Sequence, residues 1–184
     1  VTERMETSVP DIYAVGDAVE VTHFVTDQKA LISLAGPANK QGRIAADNIC
    51  GGSSHFHGSQ GSSVLKLFGL TVASTGINEK AAQAAGIAYD KVVLFPASHT
   101  TYYPGAQSMT MKVLYEKESL RLLGAQIVGG DSVDKRIDVL ATAIRAKMTA
   151  LELTELDLSY APPYSSAKDP VNMAGFIIED LVSG

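Results

Sequence analysis

A glycine- and serine-rich stretch divides this 184-residue sequence into two parts of different character. Residues 51–63 read GGSSHFHGSQGSS, a composition typical of a boundary between domains. We therefore predict a first part over residues 1–52, a linker over residues 53–63 and a second part over residues 64–184. The two parts carry different periodicities, so the fold of each is predicted separately.

The second part has the pattern of an antiparallel sheet with helices. Strands are predicted at residues 64–73, 91–96, 109–116 and 120–128, and the polar turn at 116–119 makes the last two a hairpin. A short helix at 79–85 begins after Asn78, a good N-cap, and a capping box at Thr149 and Glu152 begins another. A long helix at 132–148 carries one apolar stripe: Val133, Ile137, Leu140, Ile144 and Met148. These elements predict an α+β domain with helices on one side of the sheet.

The first part contains a strand-like run that ends at a glycine and an aspartate. Residues 7–17 read TSVPDIYAVGD, and the apolar run from Ile12 to Val15 predicts a buried strand of an α/β sheet. Gly16 would let a ligand approach the backbone, and the Asp17 carboxylate at the end of the strand suits a ligand rich in hydroxyls. An ordinary strand followed by a turn is the alternative. A helix is predicted next, over residues 31–49.

At its full spacing, TSVPDIYAVGD resembles the second flavin-binding motif of the FAD-dependent pyridine nucleotide-disulfide oxidoreductases. The resemblance implies that Asp17 hydrogen-bonds the ribityl chain of FAD. The segment ISLAGPANKQGRIAADNI resembles the family's flavin-facing helix, which implies contacts from Leu34 and Ala35 to the pyrimidine side of the isoalloxazine ring. Free N–H groups and the positive end of the helix dipole would stabilise the negative charge of reduced flavin there. The rest of the chain resembles the family's C-terminal dimerisation domain, which implies a homodimer.

The sequence lacks the glycine-rich turns that such enzymes need for their cofactors. No Gly-x-Gly-x-x-Gly pattern occurs, and that turn holds a pyrophosphate on a helix N-terminus. The chain also begins at Val1 rather than at methionine. We therefore expect a piece of a longer protein whose upstream domains bind FAD and NAD(P)H. Residues 1–52 would be the strand–helix remnant of its α/β FAD-binding domain.

Two tyrosines are the candidates for chemistry. Residues 160–170 read YAPPYSSAKDP and contain no histidine, whereas glutathione reductase-like members carry a catalytic His and Glu in this region. The departure favours the single-cysteine branch: CoA-disulfide reductases, NADH oxidases and peroxidases, and persulfide reductases. In CoA-disulfide reductases, tyrosines in YPG and YAPPY contexts reach the partner subunit's cysteine, which implies this role for Tyr103 and Tyr160. A phenol can stabilise a developing thiolate by donating a hydrogen bond. Packing of a lid is the alternative for either tyrosine alone, and Tyr102 and Tyr164 are secondary candidates.

Composition and charge exclude several other classes of function. The net charge of -5 without a concentrated Lys/Arg patch argues against nucleic acid, and no apolar run of about twenty residues could span a membrane. The single cysteine, Cys50, suits a reducing cytoplasm and is not expected to be reactive. His55 and His57 lack a third ligand nearby, so a solvated linker pair is favoured over a metal site.

The remaining interpretations concern charge, the C-terminal tail and function. Lys135, Arg136 and Asp138 place charges at the start of the long helix, which predicts a solvated helix start with local ion pairs. A contact to an anionic substrate such as CoA is the alternative. Residues 170–184 form an apolar, helix-like tail that resembles the connector to a rhodanese-like domain in longer relatives.

Taken together, these features predict that the chain is part of a flavoenzyme that reduces CoA disulfide, persulfide or polysulfide. An NADH oxidase and a non-catalytic dimerisation module are the alternatives.

Overall fold

A computed structural model describes all residues from 1 to 184, and in it the chain forms two compact units, Val1–Gly61 and Ser62–Gly184. The first unit contains a one-turn 3₁₀ helix, Gly16–Ala18, a small hairpin of β1 (Glu20–Thr22) and β2 (Lys29–Leu31), and helix α1 (Ala35–Ile49). Its core combines side chains from all parts of the unit: Met5, Val19, Val21, Ala45 and Phe56.

The strand predicted from Ile12 to Val15 does not form. Ile12 is 53% exposed, and the only ladder contact in this stretch is a single bridge between Tyr13 and Glu6. A strand is stable only when a neighbouring strand forms hydrogen bonds with its backbone N–H and C=O groups. A single bridge is too little pairing for a strand. Asp11, with a φ of 63°, also turns the chain immediately before the run.

Helix α1 begins at Ala35, four residues later than the predicted start at residue 31. Lys29–Leu31 are used by β2, which pairs with β1 in antiparallel register. Leu34 has extended backbone, with φ of -136°, and forms the N-cap. Pro37 then falls in the first turn, where its missing N–H breaks no helical hydrogen bond.

The second unit is built on one antiparallel sheet in the strand order β3-β4-β7-β6-β5. The strands are β3 (Ser63–Leu67), β4 (Leu70–Gly76), β5 (Tyr89–Leu94), β6 (Met109–Glu116) and β7 (Leu122–Gly129). The helices are α2 (Glu79–Ala84), α3 (Val133–Arg145), a 3₁₀ helix at Leu151–Glu155 and α4 (Pro170–Ser183). The predicted α+β class with an antiparallel sheet is confirmed.

The core of this unit lies between the central strands and α3. Alternate residues of β6 and β7 face each other across the ladder and are fully buried: Met111, Val113, Ala125 and Ile127. The predicted stripe of α3 packs over β4 and β7, with Val133, Ile137, Leu140 and Ile144 buried, and the helix ends at Arg145 rather than at residue 148. The period of two in the strands and the period of 3.6 in the helix supply the two apolar faces.

Local turns differ from the sequence prediction at two places. The strand predicted at 64–73 is a hairpin, because Phe68 adopts a φ of 53° and reverses the chain at Phe68 and Gly69. β7 begins at Leu122 rather than at residue 120, since Leu120 has a φ of 58° and belongs to the turn.

The predicted caps are confirmed. The Asn78 side chain accepts a hydrogen bond from the Ala81 N–H at 2.9 Å and begins α2. At the start of the 3₁₀ helix, the Thr149 N–H donates to the Glu152 carboxylate at 2.6 Å and the Glu152 N–H donates back to Thr149 Oγ1 at 3.4 Å. None of the helices is both long enough and apolar enough to cross a bilayer.

Candidate functional site

Two loops of the second unit bring a pair of tyrosine hydroxyls together. Loop A, residues 95–108, joins β5 to β6, and loop B, residues 156–169, joins the 3₁₀ helix to α4. The Tyr102 hydroxyl of loop A lies 3.3 Å from the Tyr160 hydroxyl of loop B. Tyr102 is 75% and Tyr160 46% exposed, so the phenol pair is open to a ligand or a partner.

The hydrogen bond between the phenols raises the pKa of Tyr160 above the ordinary tyrosine value. Tyr160 is therefore a neutral phenol throughout the neutral pH range. A neutral phenol in such a pair can accept a hydrogen bond from one side and donate one on the other. Such a group can stabilise a developing anion without adding a formal charge to the site.

Tyr103, the residue predicted to act with Tyr160, has a different environment. Its ring meets the buried ring of His99 edge to face, with ring centroids 5.7 Å apart and an interplanar angle of 78°. The Tyr103 N–H donates to the Thr100 carbonyl at 3.1 Å, which closes the turn. The hydroxyl that the structure brings to Tyr160 thus belongs to Tyr102, and Tyr103 packs beside it in the same loop.

Two hydrogen bonds from Thr100 tie loop A to loop B. Thr100 Oγ1 donates to the Pro162 carbonyl at 3.1 Å, and the Thr100 N–H donates to the Ser165 carbonyl at 3.1 Å. Loop B is itself stiffened, because Pro162 and Pro163 fix their φ angles. The two loops therefore form one connected surface.

Arg136 of α3 lies beneath this surface, and the prediction of a solvated side chain is wrong. The residue is 0% exposed. Its Nη2 donates to the Ser98 carbonyl of loop A at 2.9 Å and to Asp169 Oδ2 at 3.0 Å. Nη2 also lies 3.4 Å from the Tyr164 carbonyl and 3.2 Å from Ser165 Oγ in loop B. Packing of α3 against both loops buries the guanidinium, and polar partners on every side compensate its desolvation.

Asp169 completes the buried ion pair and also caps α4. Its Oδ2 accepts from Arg136 and, at 2.7 Å, from Ser165 Oγ, while its Oδ1 accepts from the Val171 N–H at 3.0 Å. Burial by itself raises the pKa of Asp169. The hydrogen bonds from Ser165 and Val171, together with the Arg136 charge, outweigh burial and hold that pKa below its ordinary value. Asp169 is therefore a carboxylate at neutral pH.

In the first unit, the residues predicted to contact FAD lie near the start of α1. Gly16 has a φ of 83°, and its N–H donates at 2.7 Å to Oε1 of Gln41, a buried residue of α1. Asp17 follows in the 3₁₀ turn with an exposed side chain. Leu34 is the N-cap and Ala35 the first residue of the helix, and no side chain caps that end.

The donors and acceptors at this end of the first unit fit part of FAD. An exposed carboxylate suits the hydroxyls of the ribityl chain, and an uncapped helix N-terminus leaves N–H groups for an electron-rich ring. Gly36 has no atom within 4 Å of a built Cβ, so the first turn of α1 is open to an approaching ring.

Sequence reasoning missed three residues of these sites. Gln41, which joins Gly16 to α1, and Asp169, which pairs with Arg136, are polar residues whose burial has no local signature. His99 lies beside Tyr103 only because of the loop fold. Tyr102 is only a secondary candidate in the sequence, because the Tyr-Pro-Gly context favours its neighbour Tyr103.

One family profile decides the membership of this chain. The profile described as "Pyridine nucleotide-disulphide oxidoreductase, dimerisation domain" matches residues 62–170, more than half of the chain. The chain belongs to the pyridine nucleotide-disulphide oxidoreductases. The match lies within the second unit and includes both tyrosine loops.

Individual relatives within this family agree with that membership. The chain is 38% identical to the coenzyme A disulfide reductase of Staphylococcus haemolyticus over 182 residues, which are 98% of this chain and 41% of that one. The solved NAD-dependent persulfide reductase from A. fulgidus covers all of this chain with 34% of its own, at a TM-score of 0.97 and 45% identity. The water-forming NADH oxidase from Lactobacillus brevis covers all of it with 41% of its own, at a TM-score of 0.94 and 26% identity. The chain thus spans about two fifths or less of the length of these proteins.

Proposed function

We propose that this oxidoreductase chain is the C-terminal dimerisation portion of an FAD- and NAD(P)H-dependent enzyme that uses a single redox cysteine to reduce CoA disulfide, a persulfide or a polysulfide. The observation that carries the proposal is the exposed, hydrogen-bonded phenol pair of Tyr102 and Tyr160. Similarity to a coenzyme A disulfide reductase and to a persulfide reductase supports the choice of a sulfur substrate.

The phenol pair would act on the sulfur that leaves when the substrate disulfide is attacked. Tyr160 remains protonated at neutral pH and can donate a hydrogen bond to the developing thiolate. The Tyr102 hydroxyl can at the same time donate a hydrogen bond to the Tyr160 oxygen. Donors aimed at developing charge typically contribute a factor of about 10²–10³ to kcat. Tyr103 remains a second proposed contributor, directed by its packing on His99.

The flavin contacts would come from the first unit of the chain. Asp17 would bind hydroxyls of the ribityl chain, Gly16 would allow close approach, and Leu34 and Ala35 would present the start of α1 to the ring. FAD, when bound, supplies the electron pair that reduces the redox cysteine. NAD(P)H and the cysteine would be held by parts of the protein that precede Val1.

A homodimer is part of the same proposal. The phenol pair is open on the surface of its own unit, which suits a site completed by a second subunit. In this arrangement Tyr102 and Tyr160 of one subunit act on the sulfur that leaves when the cysteine of the other subunit attacks the substrate. A cytoplasmic location and a rhodanese-like domain after Gly184 remain predictions from the sequence.

An NADH oxidase that reduces dioxygen is the second candidate. Similarity to the water-forming NADH oxidase over the whole chain favours it. Dioxygen reduction has no leaving thiolate, so the two candidates differ in their need for the phenols. A non-catalytic dimerisation module is the third, and it would lack the redox cysteine.

The deciding experiment compares acceptors in the full-length enzyme. We expect turnover of CoA disulfide or a persulfide to exceed that of dioxygen. Tyr160→Phe is expected to lower kcat for the sulfur substrate by about a hundredfold, while the rate of flavin reduction by NAD(P)H stays unchanged. Tyr89→Phe, which alters a phenol bonded to Gln83 and Glu79 instead, is the matched control. Dioxygen as the only acceptor, with Tyr160→Phe as active as the wild type, would contradict the proposal.

A further inference from the structure

The two tyrosine loops share one buried anchor. Arg136 Nη2 donates to the Ser98 carbonyl, four residues before Tyr102, and Nη1 donates to the carbonyl of Ser132, the N-cap of α3. On the other side it contacts Ser165 and Asp169, which follow Tyr160 in loop B. One guanidinium therefore holds both loops against the same helix.

The geometry of this anchor requires arginine. A guanidinium has five N–H donors in a rigid plane, and here Nε, Nη1 and Nη2 all find acceptors. Nε and Nη2 both donate to Asp169 Oδ2, at 3.2 Å and 3.0 Å. Lysine offers a single point charge on a flexible stem, so it cannot reproduce bonds to two loops and a helix together.

A buried ion pair of this kind is a weak source of stability. The cost of desolvating two charges offsets most of their attraction, and well-packed apolar residues are often as stable. What the pair does provide is a fixed geometry, because each partner of the guanidinium must stay within hydrogen-bond distance. The groups fixed here are the backbones on either side of the phenol pair.

From these contacts we infer that Arg136 is a positioning residue for the phenol pair: with Asp169 and Ser165 it sets the distance between the Tyr102 and Tyr160 hydroxyls. The inference rests on the proposed function for its effect on turnover, but the positioning itself is a property of the fold. Tyr102 and Tyr160 are exposed side chains on two different loops. Their separation of 3.3 Å is therefore set by the loops that carry them.

The test uses three variants of the full-length FAD-loaded enzyme. Arg136→Lys keeps the positive charge but loses the planar guanidinium and its several N–H donors. Ser165→Ala removes the hydroxyl that bridges Arg136 and Asp169, while both charges remain. Arg145→Lys, an exposed position at the end of the same helix, is the matched control. Flavin content and the melting temperature show which variants are folded. If Arg136→Lys does not fold, the comparison of Ser165→Ala with wild type decides the test.

The first readout is the titration of Tyr160, followed by NMR of tyrosine labelled at ¹³Cζ and assigned with Tyr160→Phe. In wild type and in Arg145→Lys we expect Tyr160 to titrate above the ordinary tyrosine value, because the bond to Tyr102 is intact. In Arg136→Lys and Ser165→Ala the titration should return towards the ordinary value. A folded Arg136→Lys or Ser165→Ala protein in which Tyr160 titrates as in wild type would overturn the inference.

The second readout is turnover with CoA disulfide. We expect kcat of both variants to fall by about a factor of ten to a hundred, as misplaced groups do. KM and the rate of flavin reduction by NAD(P)H should not change. If the titration moves but kcat does not, the positioning role stands and the proposed role of the phenols in turnover fails. A merely structural role would lower the melting temperature and leave both readouts unchanged.

Discussion

At the scale of single residues, Gly124 shows how closely the backbone of the sheet approaches its neighbours. A Cβ built at Gly124 would lie 1.9 Å from the Ile77 carbonyl oxygen, and the other nearest atoms also belong to Ile77. These are backbone atoms of the residue that directly follows β4, whose Gly76 pairs with Gly124, and the Ile77 N–H donates to the Leu123 carbonyl at 3.0 Å. The contact cannot be relieved by rotating a side chain.

We therefore expect Gly124→Ala to destabilise the second unit by about 3 kcal/mol or more, as overpacking of a rigid site does. Gly42→Ala in α1 is the matched control, because its Cβ would meet no atom within 4 Å and alanine favours a helix. Thermal denaturation should show a lower midpoint for the first variant and an equal or higher one for the second. An unchanged midpoint for Gly124→Ala would mean that β4 and β7 are less closely packed.

Arg136 shows the limit of inference from local sequence. The apolar stripe of α3 is predicted from residues a few positions apart, and it is confirmed from Val133 to Ile144, whereas Met148 lies beyond the end of the helix. Arg136 interrupts that stripe, and its partner Asp169 lies 33 positions later in a loop without periodicity. Only the fold brings the two charges together, so the sequence offered no reason to bury either of them.

At the scale of elements, Glu79 links α2 to the sheet. Its carboxylate bonds to Lys112 at 2.9 Å and to Lys91, which lie on neighbouring strands β6 and β5. Hydrogen bonds from these lysines lower the pKa of Glu79 from an ordinary 4.5 to about 2. The carboxylate is thus favoured in the folded state over the unfolded one.

This shift predicts the sign of a pH dependence. Between about pH 4.5 and about pH 2 the unfolded state binds the proton at Glu79 and the folded state does not, so stability falls as the pH falls through this range. Glu79→Gln should show a shallower loss over the same range. Thermal midpoints measured every half pH step would test this, and parallel curves for the two proteins would refute it.

Asp169 is both the N-cap of α4 and the partner of Arg136, so its loss affects two elements. Asp169→Ala leaves a buried, uncompensated guanidinium, and we expect a loss of about 3–5 kcal/mol. Asp180→Ala, in an exposed position of the same helix, should change stability by no more than about 0.5 kcal/mol. Chemical denaturation of both variants checks the difference, and equal stabilities would mean that Arg136 finds other partners.

Elements with strong local signals were predicted well. The caps of Asn78 and Thr149 depend on neighbours three residues away, and the hairpin of β6 and β7 on a short polar turn. The run from Ile12 to Val15 looked like a strand because its side chains are apolar, but strand formation also needs pairing that this stretch does not have. Pairing is a property of distant segments, which composition does not reveal.

At the scale of the whole molecule, this chain is shorter than the relatives that it matches. The chain covers 41% of the coenzyme A disulfide reductase of Staphylococcus haemolyticus. The glycine-rich turns for both cofactors are absent from it, as its sequence shows. We expect the isolated chain to bind FAD weakly or not at all, and isothermal titration with FAD would test this. Tight binding of one FAD per chain would contradict it.

The apolar surface of the isolated chain should still support association. Val64, Leu65 and Leu67 of β3 and Phe68 at the turn to β4 are exposed within their unit. A family profile for a dimerisation domain covers this segment. We expect light scattering at micromolar concentration to give the mass of a dimer, and a clean monomer would count against the predicted assembly.

The central claim is that the phenol pair of one subunit serves the redox cysteine of the other. Its most direct test is a mixed dimer of the full-length enzyme, with Tyr160→Phe in one subunit and serine in place of the redox cysteine in its partner. Each homodimer should be nearly inactive towards CoA disulfide. The mixed dimer should recover about half of wild-type activity, because one of its two sites combines an intact cysteine with an intact Tyr160 across the interface. A mixed dimer no more active than the homodimers would contradict the account.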